Sequence, residues 1–227
     1  MRGFQPVDGR YVAGMDGPER EVLATVVADV AELLGADRFG AGAGSSDGAA
    51  AAEASHPLLG LWMSPDVVPA PADPAVRRLL PDASEDDAEL AAEFRRLTEG
   101  DLRRLKIDRL RTFWRALVGD AAEVGRAAGR SDDEGTDLSV RPADAAELAA
   151  TLTDLRLVLA DRLGVETDED SEALYDALDR HELGQESPDR SGRELLQDEI
   201  RAYLGSVYAA LSWLQESLVT VMLADLP

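Results

Sequence analysis

Two charged side chains stand inside apolar helical runs. Arg156 interrupts Leu155-Arg156-Leu157-Val158-Leu159, and Glu216 lies within the apolar segment that runs from Leu196 to Met222. An unpaired charge withdrawn from water is costly, so each side chain calls for a partner. The placement suggests that they meet across two helices, or that Arg156 meets Asp154 or another acid. Such a pair would fix helix register. The alternatives are exposure at the edge of each stripe, or a ligand site between helices carried by Arg95, Arg156 and Glu216.

A second concentration of charge is basic: Arg95, Arg96, Arg103, Arg104, Lys106, Arg109, Arg111 and Arg115 fall within about six helical turns. On a helix Arg104, Arg111 and Arg115 share one face. The plainer reading is neutralisation by the protein's own acidic surface. The sharper one is an acidic partner or a phosphate-bearing ligand, because arginine forks match carboxylate and phosphate geometry.

Other chemistry finds little support. His56 and His181 are the only histidines, no HExxH spacing occurs, and there are no cysteines. The acidic run Glu166–Asp170 lacks the glycine and terminal glutamate of a calcium loop, and no phosphate-binding glycine motif follows a strand. No catalytic residue, metal ligand or cofactor is therefore expected. The segment His56-Pro57-Leu58-Leu59-Gly60-Leu61-Trp62-Met63 is an apolar patch expected to dock on the body, with partner recognition through Trp62 as the alternative.

The elements that must position these residues are mainly helical. Hydrophobic residues make up 45% of the chain but aromatics only 5%, so the core has to be built from Leu, Val and Ala, of which Ala and Leu favour helix. The net charge of −22 disfavours nucleic acid and anionic membrane surfaces as partners. Residues 1–10 lack a secretory-signal pattern, so a cytoplasmic address is expected by exclusion.

Asp8-Gly9, flanked by Val7 and Tyr11, predicts a tight hairpin, and Asp137–Arg141 is a strand that could join it. The first helix is expected over Pro18–Leu34, stopped by Gly35. Residues 36–56 read as a flexible low-complexity loop and 124–136 as a shorter one. Helix returns at Pro74–Leu80 and from Ser84 onward, with Ser84 or Asp82 as cap. The apolar phase drifts near Thr98–Asp101, which predicts a kink or break there. Pro142 opens a helix to Leu163 whose leucines 148, 152, 155, 159 and 163 make one stripe. After the acidic run, expected as a loop, a short helix covers Ser171–Glu182. The last helix, Gly192–Ala224, is apolar around much of its circumference. It reads as a central bundle helix, with a homodimer interface as second possibility and a membrane span disfavoured by Gln215 and Glu216.

Phe94-Arg95-Arg96-Leu97-Thr98-Glu99 with Asp101-Leu102-Arg103, then Asp154–Leu159 through Arg162-Leu163-Gly164, and the closing Trp213–Val219 occur in an order and spacing that resembles an uncharacterised actinobacterial family, domain of unknown function two thousand and seventeen. The resemblance covers most of the chain outside 36–55. It implies no established activity; it implies genes lying beside the adaptor of the Clp protease and a metallopeptidase, hence a shared process.

The resulting expectation is one mainly α domain over 1–227. It is a helical bundle around a long C-terminal helix, with a small N-terminal β element. The function expected is that of a non-enzymatic interaction or regulatory protein linked to Clp-dependent proteolysis. A ligand-binding Arg/Glu site between helices and a structural homodimer are the alternatives.

Overall fold

Asp8 and Gly9 both hold positive φ, 49° and 73°, and so close a two-residue turn whose twist matches that of the flanking strands. The computed structural model describes residues 1–37, 39, 70–119, 137–183 and 192–226. Most of the stretch expected as a loop at 36–56, the Trp62 patch and the 124–136 loop lie outside them. Strand β1 (Gln5–Val7) pairs antiparallel with β2 (Arg10–Ala13), and β2 pairs antiparallel with β3 (Leu138–Val140). Tyr11 faces Val140 and Ala13 faces Leu138, four buried residues that seat the small sheet on the helices.

Helix α1 (Gly17–Leu33) opens with a capping box: Asp16 accepts from the Glu19 N–H and Glu19 accepts from the Asp16 N–H. Helix α2 (Pro74–Leu79) is held by Asp73, which accepts from the Ala75 N–H and from Arg162 at 2.6 Å. The Arg162 hydrogen bond, aided by backbone N–H groups of Ala75 and Val76, holds the Asp73 carboxyl below the usual carboxylate range. A carboxyl depressed on folding contributes stability that is present above its unfolded pKa and lost as pH falls through its folded one. Stability should therefore decline as pH drops below about 4. Urea midpoints between pH 6 and pH 3 should fall less steeply for Asp73→Asn than for the parent; parallel curves would exclude this linkage.

Helix α3 (Ala88–Val118) is one unbroken element, so the break expected near residues 98–101 does not occur. Its N-cap is Asp87, which accepts from Glu89 and Leu90 N–H groups. The expected caps do other work: Ser84 accepts from the Asp87 N–H, and Asp82 pairs with Arg95. At the far end Arg20 of α1 donates to the carbonyls of Leu117 (2.7 Å) and Ala116 (3.0 Å), supplying partners the last turn lacks.

A single 3-10 turn, Pro142–Asp144, leads into α4 (Ala145–Leu163), where all five leucines of the expected stripe are buried. Helix α5 (Asp168–Glu182) starts three residues earlier than expected. Thr167 and Asp170 form a second capping box, so the acidic residues taken for a loop occupy a first turn, where negative charge is favourable.

Helix α4 touches α1, α2, α3 and α6 and lies deepest. The closing helix α6 (Gly192–Ala224) contributes Val207, Tyr208, Leu211, Leu214 and Leu218 to the core. At Gly205 a Cβ would meet Leu174 and Leu178 of α5 at 3.1 Å, a close approach that favours glycine. The stripe expected from Leu196 to Met222 is only partly enclosed: Leu196, Ile200 and Tyr203 are exposed, as is Trp213 on another face. By length and composition Leu196–Ala224 would suffice to cross a bilayer; in this fold its middle is seated against α4 and α5.

Candidate functional site

Along α3 the apolar residues change sides. At about 100° per residue, Leu90, Phe94, Leu97 and Leu105 line one face, while Leu110, Phe113 and Leu117 line the opposite one. The second group is buried. The first is 54%, 47%, 57% and 45% exposed, so the helix presents leucine to water over its first half. The drift of phase near residue 100 is this exchange of faces, achieved without bending the backbone.

Beneath that outer row the inward face carries Ala91 and Ala92, then Arg95, Glu99, Arg103 and Lys106. Each charge has a partner. Arg95 pairs with Asp82. Arg103 donates to Glu99 Oε1 at 2.6 Å and to the Leu34 carbonyl, at the end of α1, at 3.0 Å. Lys106 Nζ donates to Asp154 Oδ1 of α4 at 2.6 Å, with side chains only 14% and 8% exposed. Glu99 Oε2 is buried without a hydrogen-bond partner. A half-helix with ion pairs inside and leucines outside reverses what water alone would select. Buried ion pairs gain little over apolar side chains of similar volume, so stability of the isolated chain does not explain the arrangement.

The same outer face continues into charge. Arg104 pairs with Asp101 and Arg111 with Asp108, each three residues back. Arg111 also lies over the Phe39 ring, 5.4 Å from its centroid. Local acids thus neutralise these two arginines in the way the plainer sequence reading supposed.

Arg156 and Glu216 do not meet. Glu216 is exposed, and Arg156 instead donates to Gln215 Oε1 at 2.8 Å and lies 5.5 Å from the centroid of the Tyr208 ring. Gln215 in turn donates to Thr153 Oγ1 at 2.7 Å. One residue turns a helical side chain by about 100°, enough to put Gln215 on α4 and its neighbour in solvent. Asp154 is not the partner of Arg156 either, being held by Lys106. The buried Arg156 Nε has no hydrogen-bond partner. Arg156→Ala should cost about 1–2 kcal/mol through the lost hydrogen bond and ring contact, whereas Glu216→Gln should change stability by less than about 0.5 kcal/mol. Urea unfolding of both variants checks this; equal losses would restore the Arg156–Glu216 pairing.

Arg95 is therefore part of an inner seam, Arg104 and Arg111 of the outer face, and Arg156 and Glu216 of neither. Trp62 lies outside the described residues. The Lys106–Asp154 pair escaped the sequence reading, although two signals marked it: Lys106 is the sole lysine, and Asp154 lies between Leu152 and Leu155 of the buried stripe. Among the described residues no group of three or more His, Asp or Glu could hold a metal ion.

A family model described as a domain of unknown function, DUF2017, matches residues 1–222. No curated protein and no solved structure matches the chain.

Proposed function

This chain belongs to the DUF2017 family, and we propose that it works as a non-enzymatic cytoplasmic interaction protein. In this reading a protein partner covers the outer row of α3. The observation that carries it is the inverted half-helix: Leu90, Phe94, Leu97 and Leu105 in water above an ion-paired inner seam. The Arg104–Asp101 and Arg111–Asp108 pairs would form the polar rim of the interface, next to its apolar centre. Because the family resemblance implies genes beside the Clp protease adaptor, proteins of Clp-dependent proteolysis are the partners we propose to try first.

Amine-reactive crosslinkers suit this chain poorly, because Lys106 is its only lysine and is buried in a pair. Photo-crosslinking from p-benzoylphenylalanine at position 94 in cells of the source organism is the better test, with the same probe at exposed Tyr175 as control. A defined protein captured from position 94 and not from 175 supports the proposal. Capture of nothing, or equal capture from both positions, counts against it.

The exposed Leu196, Ile200 and Tyr203 of α6 favour a second reading, a homodimer built on that helix. Native mass spectrometry at micromolar concentration distinguishes the two, a monomer excluding the dimer.

A further inference from the structure

A cavity of about 350 Å³ opens where α3, β3 and the start of α4 converge, on a different part of the molecule from the outer α3 row. Buried Phe113, Val140 and Leu148 give it an apolar lining. Three arginines border it, in a chain whose net charge is −22. Two are engaged: Arg10 donates to Ser139 Oγ at 2.5 Å, and Arg141 donates to both oxygens of Asp144 at 2.5 and 2.9 Å. Arg109 differs. Its Nε is buried without a hydrogen-bond partner, and its guanidinium makes no ion pair among the described residues. A guanidinium on the lining that has no carboxylate of its own among the described residues is one that a ligand's acid group can answer.

We propose that this cavity binds a small organic monocarboxylate, its acid group on Arg109 and its apolar body against Phe113, Val140 and Leu148. The planar guanidinium fork matches a carboxylate in geometry and charge. The volume suits a small ligand, and the apolar lining rewards a hydrocarbon body that inorganic phosphate lacks. Exposed Glu147, also on the lining, repels a dianion more strongly than a monoanion. It is the apolar lining, more than the charge balance, that favours a carboxylate with a hydrocarbon body over inorganic phosphate.

The test titrates hexanoate into the full-length protein at constant ionic strength and follows the arginine Nε–H signals by ¹H–¹⁵N spectroscopy, with inorganic phosphate as a parallel arm. Hexanoate should move one such signal saturably. That signal should be missing from Arg109→Met, whose affinity should be at least about tenfold weaker. Phosphate should bind at least about tenfold more weakly than hexanoate in the parent. Glu147→Gln alters an exposed side chain and should tighten hexanoate binding about two- to fivefold. No saturable shift, equal binding by Arg109→Met, phosphate binding as tight as hexanoate, or no change in Glu147→Gln would each overturn the proposal. Should Arg109→Met fail to fold, the Glu147→Gln and phosphate comparisons decide.

Discussion

Replacing Lys106 with methionine is expected to remove about 3–5 kcal/mol of folding stability, because it strands the Asp154 carboxylate in the interior. Asp154 is 8% exposed at its side chain and sits between Leu152 and Leu155, both fully enclosed. Its one strong hydrogen bond comes from the Lys106 ammonium at 2.6 Å. Asp154→Leu alone should be similarly damaging, since it strands the ammonium instead. With total stabilities of about 5–15 kcal/mol usual for domains, either single change uses up a large share. The double variant Lys106→Met/Asp154→Leu should recover most of the loss and could exceed the parent, because an apolar pair of like volume has no desolvation cost to repay. Urea unfolding of all four proteins gives the coupling energy directly. Single losses below about 1 kcal/mol would mean that the pair is solvated and the seam is not an interior feature.

The triple variant Leu90→Asp/Phe94→Asp/Leu97→Asp should behave in the opposite way, keeping its fold and losing its partner. These side chains are about half exposed, so losing the half each already buries should cost about 1 kcal/mol of folding stability per site, within the margin of about 5–15 kcal/mol usual for domains. Covering each one in an interface would contribute about 1 kcal/mol, roughly half the value for burying a whole side chain. Three such losses correspond to about a hundredfold in affinity before the desolvation of the new carboxylates is counted. Arg104→Ala and Arg111→Ala on the same face remove charges already answered by Asp101 and Asp108, so their effect on partner capture should be small. A triple variant that still captures the partner at parental levels would show that the outer row is not the interface. One that unfolds would show that the row is a structural face.

Most of the fold could be read from residue types. Asp8-Gly9 marked the hairpin, Gly35 and Gly164 marked helix ends, and the leucine ladder of α4 marked a buried stripe; each is a local signal with a local cause. The α3 break and the acidic loop before α5 were misread for local reasons too. A drifting phase and a cluster of acids have more than one structural solution, and the chain took the continuous helix and the capping box.

The candidate site was less accessible. Residue type and spacing by themselves determined which side chains share a face of each helix, because the angle between two positions depends only on their separation along the chain. They also set the chain's acidic character and its helical content. What the tertiary structure alone decided is which face turns inward. Leu90, Phe94 and Leu97 have the same 3.6-residue rhythm as the leucines of α4, yet one row meets water and the other the core. The same choice placed Gln215 rather than Glu216 beside Arg156 and brought Lys106 to Asp154. Periodicity is a property of one helix about its own axis, whereas burial depends on the neighbours that the rest of the chain brings to it.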